Sequence, residues 1–263
     1  MTIAVVSRVK SAPDQQSVSA DLVRSEWAKF RTVRSTYWSL IAAVVAMIGL
    51  GAIISAAQSG HQAGFDPVST SLSGVLLAQL AIGVLGVLFV TSEYSTGMIR
   101  TTFTAAPQRR SVIAAKAAVF AVVALVVGSV TSFVTFLVGQ ALQGTHGVSL
   151  TSPGALRSVI GVGLYLGLLA VFAVGLGTVI RSTAGAIASV FGLILVLPAI
   201  AAALPSSIRD SVDKYLPGNA GQAIFHTIRD TSTLSPWVGL GVFALYAAAA
   251  LGAGLFLVGR RDV

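Results

Sequence analysis

The chain has 263 residues, 55% of them hydrophobic and only 10% charged, whereas a soluble domain of this length carries about a quarter charged residues. Its formal net charge of +8 is not arranged as a basic face interleaved with aromatics, which argues against a nucleic-acid partner. With no cysteine there is neither a disulfide framework nor a cysteine metal site. What remains is a polytopic membrane protein, all-α by expectation.

Residues 1–20 carry Arg8, Lys10, Pro13 and Asp14 among small polar side chains and lack the apolar core of a signal peptide. They are expected to form a disordered cytoplasmic tail. Over 21–36, Val23, Trp27, Phe30 and Val33 recur at helical spacing, with Arg24, Lys29 and Arg31 largely opposite. A basic helix with aromatics on its apolar side lies flat in the membrane interface. Trp27, Phe30, Arg31 and Arg34 are its marker residues, although Glu26 and Arg34 flank the apolar stripe and make it imperfect. The alternative is that this stretch is only the positive flank of the first membrane helix.

Six apolar segments follow, at 37–57, 72–91, 117–142, 158–180, 184–204 and 236–258. Each is near or above the roughly 20 residues needed to cross the hydrocarbon core, and none contains Asp, Glu, Lys or Arg. The expected domain plan is therefore a six-helix membrane domain over 37–258 with a short cytoplasmic tail at 259–263. Lysine and arginine set the orientation. Thirteen fall on the side of the two termini and four on the other, which places both termini in the cytoplasm.

Between the second and third spans, residues 93–116 concentrate charge, glycine and proline. Gly97 and Pro107 bracket about one short helix, on which Met98, Ile99 and Phe103 form an apolar side. Pro107 disfavours helix at Ala106. Arg100, Arg109, Arg110 and Lys116 make the stretch basic, with Glu93 as its one acid. It reads either as a positively charged loop or as a short helix presented to a cytoplasmic partner. Glu93, at the inner end of the second span, is expected to be ionised and paired with one or more of Arg34, Arg100, Arg109 and Lys116.

The connections 58–71 and 143–157 are short and polar. The longer 205–235 is patterned, with Ile208, Val212, Tyr215 and Leu216 at helical spacing before Pro217-Gly218, and a second short helix expected over 220–228. It reads as a structured external cap or a partly ordered loop. Within the spans, Gly163-x-x-x-Gly167 suits close helix packing, inside the bundle or between copies. Pro198 is expected to kink the fifth span, since it removes the backbone bond to Ile194.

Several chemistries are missing. Spans without titratable groups offer no proton relay or ion pathway. None of the four lysines follows a glycine, so the phosphate-binding loop of the Gly-Lys-Ser/Thr type is absent. His61, His146 and His226 are scattered without ligand spacing. Neither an enzyme nor a metal site is expected.

The pattern Glu93-Tyr94-x-x-Gly97-Met98-Ile99-Arg100-x-Thr102, followed by Pro107, Arg109 and Lys116, resembles that of ABC-2 type permeases, the membrane subunits of bacterial ABC exporters. Tyr215-Leu216-Pro217-Gly218-Asn219-Ala220-Gly221 is similar to the external segment of actinobacterial members. Met98 stands where the family commonly has threonine. The resemblance implies a permease that pairs with a second copy or a paralogue and carries cytoplasmic ABC ATPase subunits. ATP and Mg would then be bound by the partner, and this chain would bind no cofactor. It also implies a coupling helix seated on the ATPase, drawn from Glu93, Tyr94, Gly97, Met98, Ile99, Arg100, Phe103 and Pro107, with the interfacial helix alongside. A cargo path between the second and fifth spans is implied as well, with Gln79, Leu193, Leu195 and Pro198 as candidates. The expected function is outward transport of an apolar or amphipathic cargo (a drug, a natural product or a lipid-linked molecule) across a bacterial inner membrane. The rival readings are a secondary carrier or channel, and a membrane scaffold that transports nothing.

Overall fold

The computed structural model describes residues 15–260 apart from 33, 59–64, 100–107, 206–208, 210 and 229–232. Among the described residues there is no strand. Six helices are long and apolar enough to cross a membrane: Arg34–Ala57, Pro67–Ser95, Arg109–His146, Ala155–Ile180, Thr183–Ala202 and Pro236–Arg260. They are numbered spans one to six in chain order and match the six expected segments. Four of them begin several residues earlier than the apolar runs suggested, because a helix continues past the hydrocarbon boundary while its sequence turns polar.

Span three shows the consequence most plainly. Its α-helix covers Arg109–Gln143, which is about 52 Å at 1.5 Å per residue and far exceeds the roughly 30 Å hydrocarbon core. Lys116 therefore lies on the helix itself, two turns inside its start, rather than in the preceding loop.

Span four is the centre of the bundle. In its most apolar window 72% of residues are buried, against 28%, 22% and 28% for spans one, five and six. Its glycines explain how. A Cβ on Gly163 would meet Ser129 Oγ at 1.9 Å and one on Gly167 would meet Leu125 Cβ at 3.2 Å, so these two glycines seat span four on span three within the protomer. That decides the Gly163/Gly167 pair in favour of packing inside the bundle.

The N-terminal helix covers Gln15–Thr32. Residues 15–20 are thus helical rather than part of a disordered tail, and span one starts at Arg34 instead of Tyr37. Glu26 and Phe30 are buried, with Leu22 packed on the core one turn earlier, whereas Val23 and Trp27 are more than 40% exposed. Arg31 and Arg34 are exposed.

At the end of the bundle opposite the termini, the 205–235 connection turns back onto the helices. A single turn at Asp213–Tyr215 precedes a short helix, Pro217–Gln222, and a further turn at Ala223–Phe225. Pro217, Gly218, Ala220, Gly221 and the whole Ala223–Phe225 turn are buried. This is the structured cap, starting three residues earlier than its expected second helix because Pro217 fits the first helical turn.

Candidate functional site

The residues with the most unusual environment meet where the N-terminal helix, the end of span two and the start of span three converge. Span two closes at Ser95 with Thr96 N–H on Ser92 O and Gly97 N–H on Tyr94 O. Gly97 then takes φ 71, the left-handed conformation that ends helices and suits glycine. The turn expected at Gly97 is therefore present. It leaves Glu93, one helical turn back, buried at 6% exposure.

Glu93 faces Lys116, which is 1% exposed. Lys116 Nζ donates to Glu93 Oε1 at 2.9 Å and to Glu26 Oε2 at 2.6 Å. Lys29 Nζ donates to Glu26 Oε1 at 2.8 Å and to Glu93 Oε1 at 3.3 Å. Two carboxylates and two ammonium groups thus form a closed, neutral network joining three helices. Lys116 Nζ also sits 4.4 Å from the centroid of the Phe89 ring, within cation–π range. Phe89, Phe30 and Phe120 pack together, with centroids 5.7–6.3 Å apart, and Trp27 stacks on Phe30 at 6.1 Å.

Electrostatics fixes this arrangement. Burial lowers the pKa of Lys29, but its bonds to Glu26 and its attraction to Glu26 and Glu93 outweigh that and raise it above the usual lysine value. A raised pKa means that, while the carboxylates are ionised, the contribution of Lys29 to the fold is fully present below the ordinary lysine value and is lost as pH rises through the shifted one. Breaking a buried pair by removing one partner is costly, although forming it contributes little net stability. The network therefore specifies how the three helices meet more than how stable they are.

Of the groups expected to pair with Glu93, Lys116 does so. Arg34 is exposed, and Arg100 lies outside the described residues, as do Phe103 and Pro107. Glu26 and Lys29, expected only as polar residues of the interfacial helix, complete the network. The signal for Glu26 was an acid one turn from both Leu22 and Phe30 on a basic helix: a carboxylate on that face requires a buried cation. Tyr94 is half-buried, its ring 5.3 Å from the Arg181 guanidinium at the turn between spans four and five. Beside it, Thr183 Oγ1 donates to Thr91 Oγ1 at 2.9 Å. The expected apolar side divides: Met98 is 51% exposed, whereas Ile99 is 2% exposed and belongs to the core.

The cargo-path candidates separate in the same way. Gln79 is buried at 2% and accepts from Tyr165 Oη at 2.7 Å and Gln222 Nε2 at 3.2 Å, which ties span two to span four and to the cap. Leu193 and Leu195 lie on a five-residue π-helical stretch, Gly192–Val196, immediately before Leu197–Ala202 resumes the α-helix. Pro198 cannot donate to the preceding turn, and the bond pattern widens there. Gly218 of the cap lies against the Ile194 carbonyl at this break.

Residues 22–205 match the profile of a family described as ABC-2 family transporter protein. A comparison with curated proteins finds no match. The matched region runs from the N-terminal helix to the end of span five and contains every member of the ion-pair network.

Proposed function

Because the chain belongs to the ABC-2 transporter family and is a multi-pass membrane permease subunit, we propose that it is the membrane half of an ATP-driven exporter in a bacterial inner membrane. Both termini face the cytoplasm. An ABC ATPase subunit sits on the segment that leaves span two, residues 94–107, and binds the ATP and Mg that this chain does not. A second permease, a copy or a paralogue, completes the transport unit. The cargo is apolar or amphipathic, passing along span five near Leu193, Leu195 and Pro198, with Gln79 of span two as the other candidate on its path.

The observation that carries this reading is the neutral network of Glu26, Lys29, Glu93 and Lys116 at the base of the 94–107 segment. Movement imposed on that segment from outside is passed at once to the N-terminal helix, span two and span three, because separating the charges in a buried setting is costly. The Lys/Arg bias toward the termini supports the orientation. Met98, exposed beside the left-handed Gly97, supplies an apolar contact for a groove on the ATPase, a familiar mode of helix recognition.

The test is crosslinking in membranes with a candidate ABC ATPase subunit co-expressed. A cysteine at 98 should capture the ATPase, and one at 99, whose side chain is packed inside the permease, should do so much less. Co-purified complex should hydrolyse ATP, and Glu93→Ala should retain insertion while uncoupling hydrolysis from export. If the cysteine at 98 reacts only with lipid-phase reagents and no ATPase co-purifies, the exporter reading fails.

A further inference from the structure

A cavity of about 460 Å³ lies beside the ion-pair network, between the N-terminal helix and spans one, two and three. That volume is in the range of small-molecule sites. Its inner wall is apolar, made by Leu85, Phe89 and Phe120, while Thr36 and Ser39 line the span-one side. The exposed members of the lining are Thr32 on the N-terminal helix, Ser35 on span one, Leu88 and Ser92 on span two, and Thr96 and Met98 just beyond it, so the mouth runs between spans one and two and reaches the N-terminal helix and the turn after span two.

One polar atom in this lining is unaccounted for. Glu93 Oε1 accepts from both lysines, and both oxygens of Glu26 are bonded. Among the described residues Glu93 Oε2 is buried with no hydrogen-bond partner, and Glu93 lines the cavity. A buried carboxylate oxygen without a donor costs more than the same group bonded, and such exceptions call for a specific explanation.

We propose that this cavity binds the head of an amphiphile bearing an N–H ammonium group, with its tail running out between spans one and two. The chemistry of the lining selects this head. A charge-assisted bond to a carboxylate is roughly twice as strong as a neutral one, so an ammonium is favoured over an alcohol at Glu93 Oε2. The hydroxyls of Thr36, Ser39 and Ser92 offer acceptors for the remaining N–H groups of a primary ammonium. A quaternary ammonium has no N–H and leaves the orphan oxygen as it was. Lys29, with a side chain 37% exposed at the edge of the cavity, suits a phosphate one step along the head. The head therefore comes either from an ethanolamine phospholipid or from a cationic amphipathic cargo.

Binding needs only the permease chain, so it is tested apart from the ATPase pairing. The full chain in phosphatidylcholine nanodiscs is titrated with radiolabelled dodecylamine, and then with dodecyltrimethylammonium and dodecanol as competitors. Saturable binding of one dodecylamine per chain is expected, with both competitors at least tenfold weaker. Replacing part of the phosphatidylcholine by phosphatidylethanolamine should displace dodecylamine if the lipid is the natural occupant; binding undisturbed by phosphatidylethanolamine assigns the site to a cationic cargo, and either result supports the proposal. Glu93→Gln should weaken binding at least tenfold. Ser39→Phe, which fills the cavity without touching the ion pairs, should do the same and keeps the test open if the first variant is unstable. Equal competition by dodecyltrimethylammonium, non-saturable uptake, or binding indifferent to Ser39→Phe overturns it.

Discussion

Lys116 holds two carboxylates at once, and neither Glu26 nor Glu93 has another fully buried cation in reach among the described residues. Lys116→Met keeps the side-chain length but leaves two buried acids with only the part-exposed Lys29 between them, and removing one partner of a buried pair typically costs about 3–5 kcal/mol. Lys29 touches the same two carboxylates from a position more than a third exposed, and pairs of that kind contribute about 0–1 kcal/mol. Lys116→Met should therefore lower the thermal unfolding midpoint much further than Lys29→Met. Adding Glu93→Gln to Lys116→Met should recover part of the loss, because one stranded charge is gone and Glu26 keeps Lys29. Equal losses from the two lysine variants would show that burial does not set the energetics of the network. At this scale the sequence was legible on one side only. Glu93 and Lys116 stand 23 residues apart around a recognisable turn, so their pairing could be anticipated. Glu26 lies 90 residues from Lys116, and its partner is chosen by how the N-terminal helix docks, which local periodicity does not encode.

The six spans were legible as elements because membrane helices announce themselves by continuous apolar length. Their true ends were not, since a helix that protrudes from lipid keeps its backbone bonds while its side chains become polar. Span five shows a different limit. Pro198 signalled an irregularity but not the form it takes, a π-helical stretch over Gly192–Val196 against which the cap packs. A Cβ at Gly218 would meet Ile194 O at 2.3 Å and Pro198 Cγ at 3.3 Å, and a backbone carbonyl cannot swing away as a flexible side chain can. Gly218→Ala should push the cap off span five and cost about 1–3 kcal/mol, the range for overpacking a fitted contact. Gly241→Ala on span six, where an added Cβ meets nothing within 4 Å, serves as the control. It should be neutral or stabilising by up to about 1 kcal/mol, as glycine is a poor interior helix residue. If both alanines behaved alike in thermal unfolding, the contact between the cap and the π-helical stretch would have no energetic weight.

Across the whole molecule, charge is confined to the two ends of the bundle and does different work at each. At the termini end it fixes three helices through ion pairs. At the far end a single acid, Asp66, ties the first connection to the last. Its Oδ1 accepts from the amides of Val68 and Ser69 at 3.1 and 3.0 Å, capping the start of span two, and its Oδ2 accepts from the amides of Thr227 and Ile228 at 3.0 and 3.3 Å. Arg157, at the start of span four, reinforces the same place by donating to the His226 carbonyl at 2.7 Å. Burial opposes ionisation of Asp66, but the Thr227 side chain and the amides of Ser69, Thr227 and Ile228 outweigh it and hold its pKa below the ordinary value of 3.8. The sign follows from the depressed value. The clamp contributes its full stability above the unfolded-state pKa and loses it as pH falls through the folded-state one. Asp66→Asn removes the charge at every pH, and its amide can offer an acceptor to only one of the two pairs of N–H groups, turning an N–H₂ toward the other. The unfolding midpoint of the native chain should therefore exceed that of Asp66→Asn by a constant margin from neutral pH down to about 4, close to the ordinary aspartate value, and the margin should shrink below it. A margin that stayed flat from pH 7 to pH 3 would mean that the ionised carboxylate is not what joins the two connections, and that the cap is held by its apolar contacts alone.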